Sequence, residues 1–252
     1  EYGLSSKNKK RSLFSKIGVV GCGRDGRHIV SLTALSGIEV TFVEVSEDRI
    51  QLALKDIEHG LDTKIENWGL TQGEKRSTMG RIKGTLDYQD LQDCDFVIEC
   101  IRYDVDGGRS TDLRKEVFRN LEQVLSPDAI IATNATTVII SELAADLKYK
   151  ARCISLHFPV SHTDARLLEI VRGTFTSEEA VHKVYHFAHM IKHTAIQVHE
   201  SSGLVSFRMM ITMLNEACQI WMENVASIED IDKEFTILAV INRGIIKRNK
   251  FI

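Results

Sequence analysis

The sequence predicts an α/β protein, a Rossmann-type doubly wound and mostly parallel sheet followed by a short, truncated all-helical segment. Three observations carry this. A glycine turn joins an apolar strand to a helix near the start of the chain. Apolar runs of strand length then alternate with helix-period stretches as far as His199. From Ser202 onward the strand pattern stops and only helical periodicity remains.

The first strand is the apolar run Ile17–Val20. Gly21-Cys22-Gly23-Arg24-Asp25-Gly26 follows, then a helix, then a second strand over Ile38–Val45. A bare G-x-G-x-x-G is a weak signal. Here it sits between a strand and a helix, and Glu44 lies 18 residues past Gly26. That context makes it a dinucleotide-binding fingerprint. Gly21 allows the tight turn, Gly23 lets the backbone approach a diphosphate, and Gly26 lets the helix pack on the strand. The helix start offers unpaired N–H groups to the anion. Glu44 is expected to accept hydrogen bonds from the ribose hydroxyls and to repel a 2′-phosphate, so the expected cofactor is NAD rather than NADP. Asp25 places a negative charge in this turn, and Arg24 beside it offsets that charge.

The later elements follow from spacing. Ile50, Leu52, Leu54, Ile57, Leu61 and Ile65 recur at mainly helical spacing and give a helix over Glu47–Trp68. Gly69–Gly80 reads as a break before a charged segment. Asp95–Ile101 is a buried strand, and Asp104–Ser110, with Gly107 and Gly108, a loop. Leu113–Leu125 is a helix stopped by Ser126-Pro127. Ala129–Thr133 is a strand, Ile140–Leu147 a short helix, and Ala151–His157 and Leu167–Arg172 further strands. Ser177–His193 is a helix with Glu178 and Glu179 in its first turn, where acids suit the dipole. Ala195–His199 closes the alternation. Phe207, Ile211, Leu214, Cys218, Trp221 and Val225 then line one face of a long helix. Ser227 with Asp230 marks a further helix start, over Ile228–Val240. The expected organisation is a dinucleotide-binding domain over 12–200 and a partial helical domain over 201–252. Glu1–Lys16 is polar and basic, has no apolar core of a secretory signal, and is set apart from the fold.

Bulk properties exclude some classes. A net charge of −3 argues against a general nucleic-acid binder. No apolar run approaches the roughly 20 residues of a membrane span. The five cysteines are scattered, with no C-x-x-C pair, and fit reduced thiols in a cytoplasmic protein better than a disulfide set or a zinc site.

Candidate chemistry lies at strand ends. His157 ends an apolar strand, where ligands bind in open α/β sheets. Glu169 is an acid inside the apolar run Leu167–Val171, and such an acid needs a partner. A His–Glu pair makes a general base, with the carboxylate fixing the tautomer and stabilising the imidazolium. A buried structural histidine satisfies the same pattern. Asn134, Thr136 and Thr137 form a polar cluster that fits either a substrate oxygen or a helix cap. His182, His186, His189 and His193 share one helix face, but no carboxylate or cysteine joins them. They read as a packed or solvated face, and no metal site is expected.

The ordered set Gly21–Gly26, Glu44, Val97-Ile98-Glu99, Ala132–Thr137, Leu156-His157-Phe158, Leu168–Gly173 and Leu214–Ala217 resembles the L-3-hydroxyacyl-CoA dehydrogenases, including the short-chain 3-hydroxybutyryl-CoA enzymes. Ser227–Lys233 matches as well. The resemblance spans roughly Ile17 to Lys233. It implies oxidation of the 3-hydroxyl of an acyl-CoA, with hydride passed to NAD. It implies that His157 takes the hydroxyl proton, that Glu169 orients it, and that Thr136 stands where the family has a serine bonded to the reacting oxygen. Asn134 would lie near the nicotinamide, with Cys100 and Ile101 among the cofactor contacts. It further implies a homodimer formed by the helical domain.

The sequence also departs from the family. Val160 and Phe207 replace two asparagines, the second of which completes the family's substrate site. A glycine- and proline-rich motif is reduced to Val240–Ile246, Asp104–Ser110 looks inserted, and the helical domain is about half the family's length. These departures keep two alternatives open: an NAD-binding module acting as a sensor or through partners, and a dehydrogenase of a small hydroxy acid without CoA.

Overall fold

The computed structural model describes residues 14–102, 111–159 and 166–238. The chain divides into two units, residues 1–202 and 203–252.

The first unit holds one eight-stranded sheet. Its strands are β1 (Lys16–Val20), β2 (Glu39–Val43), β3 (Ile82–Thr85), β4 (Phe96–Glu99), β5 (Ile130–Thr133), β6 (Cys153–His157), β7 (Leu167–Arg172) and β8 (Thr194–His199). They lie in the order β3-β2-β1-β4-β5-β6-β7-β8. Every pairing is parallel except β6 with β7. The order reverses between β1 and β4, and that reversal opens the crevice in which such sheets bind ligands.

Both faces of the sheet are covered, and side chains alternate between them. Ile17, Val19, Phe96, Ile98, Ile130 and Ala132 point to one face. There they meet α1 (Arg24–Leu35), α2 (Glu47–Glu66) and α6 (Glu178–Met190). Val20, Val97 and Ile131 point to the other, against α4 (Thr111–Val124) and α5 (Ile140–Ala144). Burial on both sides is why these strands read as continuous apolar runs.

Three features depart from the sequence reading. Gly69–Gly80 is not a simple break: it contains α3 (Gln72–Met79). Thr71 and Glu74 close a capping box there, with the Glu74 backbone N–H donating to Thr71 Oγ1 at 3.2 Å and the Thr71 N–H to Glu74 Oε2 at 2.8 Å. The short charged segment after it supplies β3, whose Gly84 faces Ile50 and Phe42 with no room for a larger side chain. Of the stretch Glu1–Lys16, the described residues Phe14, Ser15 and Lys16 belong to the fold. Phe14 is buried against Phe96 and Phe187. Burying such a ring contributes about 1.5–3 kcal/mol. Ser15 donates its N–H and hydroxyl to Asp95.

The second unit contains α7 (Leu204–Met222) and α8 (Ile228–Leu238). Leu214, Ala217 and Ile231 form a small core. Ser227 caps α8, accepting the Asp230 N–H at 3.1 Å. Phe207 is 42 % exposed. Val160, Asp104–Ser110 and Val240–Ile246 lie outside the described residues. Among the described residues no helix is long and apolar enough to cross a membrane.

One carboxylate ties three segments of the first unit together. Glu200 accepts the N–H of Ser141 at 3.0 Å, its hydroxyl at 2.6 Å, and the N–H of Thr174 at 3.1 Å. It thus caps the start of α5 beside Gly173, where a Cβ would crowd Ile140 and Ser141. Burial raises the Glu200 pKa, but the bonds from Ser141 and Thr174 outweigh burial and hold it below the ordinary value of 4.5. A depressed folded-state pKa contributes stability that is present above the unfolded value and lost as pH falls through the folded one. Glu200→Gln should therefore lower stability by about 1 kcal/mol near neutral pH. Urea midpoints of the two proteins should converge below about pH 4. A gap that stays constant with pH would refute this role.

Candidate active site

The glycine turn begins at the C-terminal end of β1. Gly21 has φ +88° and donates its N–H to Val43. A Cβ on Gly21 would sit 3.2 Å from the Ile101 nitrogen and 3.3 Å from the Cys100 carbonyl carbon. The turn and the segment after β4 therefore lie backbone to backbone. A Cβ on Gly26 would collide with the Gly21 carbonyl oxygen, so only glycine lets α1 start this close to β1.

Gly23 is the contrast. A Cβ there meets nothing within 4 Å, and no side chain caps α1. The start of α1 thus faces open space with its first-turn N–H groups turned toward it, which suits a diphosphate. Asp25 does sit in the first turn of α1. Its carboxylate lies 3.4 Å from Arg24 Nε in an exposed pair.

Glu44 holds the turn as well as facing it. Its Oε1 accepts the Cys22 N–H at 2.6 Å, and its Oε2 accepts the Val45 N–H at 3.2 Å. A carboxylate has about four acceptor positions, so capacity remains for ribose hydroxyls. Burial, with Glu44 nearby, pushes the Cys22 thiol far up, so it stays neutral. Burial does the same to Cys100.

A cluster behind this crevice was not legible in the sequence. Glu99 is fully buried at the end of β4. It accepts Arg114 Nη1 at 2.5 and 2.6 Å, Thr133 Oγ1 at 2.6 Å and the Ile101 N–H at 2.5 Å. Arg114 also donates to the Ile101 carbonyl. Burial pushes the Glu99 carboxyl up, and these donors pull against it. Removing one partner of such a buried pair costs about 3–5 kcal/mol. The pair fixes Ile101, and Ile101 borders Gly21. The acid closing the run Phe96–Glu99 was the available signal, but nothing in the spacing pointed to Arg114.

At the C-terminal end of β6, His157 pairs with Glu169 in the β6–β7 register. The His157 Nδ1 lies 2.6 Å from Glu169 Oε2, with the carboxylate 0 % and the imidazole 14 % exposed. The neighbouring strand β5 ends at Thr133, level with Ser155. Beyond it come Asn134, which donates its backbone N–H to the Glu99 carbonyl at 2.8 Å, and half-buried Thr136. The Asn134 side-chain oxygen is buried with no hydrogen-bond partner, the kind of orphan a ligand donor would satisfy.

The family model for the 3-hydroxyacyl-CoA dehydrogenase NAD-binding domain matches residues 16–201. The chain belongs to the 3-hydroxyacyl-CoA dehydrogenase family. A probable 3-hydroxybutyryl-CoA dehydrogenase of Deinococcus radiodurans is 33% identical over 217 residues, covering 86% of this chain and 76% of that protein. Among solved structures, Mycobacterium tuberculosis FadB2 aligns with a TM-score of 0.85 and 28% identity, covering 93% of this chain and 81% of that one. The (S)-3-hydroxybutyryl-CoA dehydrogenase PaaH1 of Ralstonia eutropha aligns with a TM-score of 0.84 and 29% identity, covering 92% and 80%. Membership in this family accounts for an NAD fold whose glycine turn and strand-end polar groups share one sheet edge.

The open space at Gly23 gives a clean test of the cofactor site. Gly23→Ala should leave the thermal midpoint unchanged while weakening NADH binding about tenfold or more. Fluorescence titration reads the affinity. Unchanged affinity would place the diphosphate elsewhere.

Proposed function

We propose that this family member oxidises the 3-hydroxyl of a 3-hydroxyacyl-CoA to the ketone, with NAD as hydride acceptor and His157 as general base. The observation that carries this is the 2.6 Å contact of His157 with a fully buried Glu169. The anionic carboxylate takes the Nδ1 proton's hydrogen bond, which leaves Nε2 with a free lone pair. Nε2 then accepts the proton of the substrate hydroxyl, and Glu169 stabilises the imidazolium that results. Thr136, in the adjacent loop, supplies a hydroxyl to the reacting oxygen. Asn134 offers its unpartnered oxygen to the carboxamide of the nicotinamide. The cofactor, when bound, supplies the acceptor for the hydride leaving the 3-carbon. Glu44, Gly21, Cys22, Gly23, Arg24, Asp25 and Gly26 border the dinucleotide, with Cys100 and Ile101 on its other side.

The Deinococcus and Ralstonia relatives bear the name 3-hydroxybutyryl-CoA dehydrogenase, which supports an acyl-CoA substrate here. The helical unit, residues 203–252, carries exposed Met209, Trp221 and Met222, and we assign the homodimer contact to it. All five cysteines are free, in keeping with a reducing cytoplasm.

His157→Asn and Glu169→Gln should each lower turnover of acetoacetyl-CoA by about a hundredfold or more, with NADH affinity held within twofold. NADH absorbance reads the first and fluorescence the second. Wild-type protein that binds NADH yet consumes none with acetoacetyl-CoA would instead make the chain a binding module. Undiminished turnover in His157→Asn would remove the imidazole from the mechanism.

A further inference from the structure

The sheet edge opposite the glycine turn carries a second feature. A cavity of about 300 Å³ opens between the N-terminal ends of β5 and β6 and the start of α6. Lys148, Lys150, Arg152 and Lys183 line it, against the carboxylates of Asp128 and Glu179. A third carboxylate, Glu122, accepts the N–H groups of Lys148 and Tyr149 at 3.0 and 2.8 Å, so four cations face three acids and one positive charge is unmatched.

Arg152 sets the character of the site. It is 6 % exposed. Its Nη1 donates to the carbonyls of Ser126 and Ala129, the latter at 3.3 Å. Its Nε and Nη2 are buried without a hydrogen-bond partner. Among the described residues it makes no ion pair. A buried guanidinium with two idle nitrogens is costly unless something satisfies it. The idle Nε–Nη2 edge is also the one that grips a phosphate or carboxylate with two parallel hydrogen bonds.

The neighbours fit the same ligand. Lys148 Nζ lies over the Tyr149 ring at 4.9 Å, and Lys150 Nζ over the Phe175 ring at 4.5 Å. Neither is paired with a carboxylate among the described residues; Lys150 Nζ donates to the Ala145 carbonyl at 3.1 Å, which uses one of its three protons. Lys183 is already engaged by Glu179 at 2.9 Å. The Arg152 guanidinium lies 5.6 Å from the Tyr149 ring, which is 37 % exposed.

We propose that this cavity is an anion site for a phosphate monoester, gripped by Arg152 after Tyr149 swings aside and neutralised by Lys148 and Lys150. A phosphate monoester presents three terminal oxygens, enough for the two-nitrogen Arg152 edge and an ammonium group together, where a carboxylate has two. The site stands on the far edge of the sheet from His157 and Gly23, so its occupant is neither the dinucleotide nor the reacting acyl group. A free phosphorylated metabolite and inorganic phosphate share this chemistry.

The test uses the full chain saturated with NADH, so that the glycine turn is filled, at constant ionic strength. Phenyl phosphate and inorganic phosphate are titrated by calorimetry, with the Arg152 Nε–H resonance followed by NMR. Expected are saturable one-to-one binding and a shift of that resonance. Stronger binding of phenyl phosphate identifies a phosphorylated metabolite, and equal binding identifies inorganic phosphate. Lys148→Gln combined with Lys150→Gln, both at the surface, should weaken binding roughly tenfold and leave NADH affinity unchanged. Tyr149→Ala should strengthen it. Absence of saturable binding, equal binding by the double variant, or displacement of NADH by phosphate would overturn the proposal.

Discussion

A carboxylate in the middle of an apolar strand is unstable without a partner, and in this protein the partner is a histidine at the end of the adjacent strand. Glu169 is wholly shielded in β7, and His157 at the end of β6 meets it at hydrogen-bond distance. The contact depends on the one antiparallel pairing in the sheet. A parallel crossover between β6 and β7 would carry these side chains to opposite edges. The break in an otherwise parallel arrangement is therefore what lets residues 157 and 169 face each other, and it gives the buried carboxylate its partner.

The cofactor side obeys a related constraint, with close backbone approach in place of charge burial. Gly21 and Gly26 are small because Cys100, Ile101 and the Gly21 carbonyl occupy the space their side chains would need. Glu99 and Arg114 pin Ile101 from behind, and Glu44 pins Cys22 from the side. The turn is thus held by charged groups on three elements, while Gly23 remains the one open position. Rigid support with a single gap is the arrangement a preorganised diphosphate site requires.

The parts legible in the sequence were those encoded by short-range rules. The strand–turn–helix around Gly21–Gly26 has fixed spacing, and the apolar strands announced themselves because both sheet faces are covered. The helix α3 and strand β3 escaped because their sequences are polar and short. The Thr71–Glu74 capping box was a readable signal that the two flanking glycines obscured. Phe14 looked like part of a polar tail, since its partners Phe96 and Phe187 are more than eighty residues away. The Glu99–Arg114 pair and the idle guanidinium of Arg152 are products of tertiary folding, and no local pattern specifies them. The pairing of His157 with Glu169 stood between these cases: the acid demanded a partner, but the register that supplies it appears only in the sheet.

The tautomer of His157 decides whether the imidazole faces the substrate as a base; it is read from the imidazole ¹⁵N shifts of the neutral ring and assigned by loss of the signals in His157→Asn. The expected result is a proton on Nδ1, donated to Glu169, and a bare Nε2. A neutral ring protonated on Nε2 would leave no base facing the substrate and would contradict it.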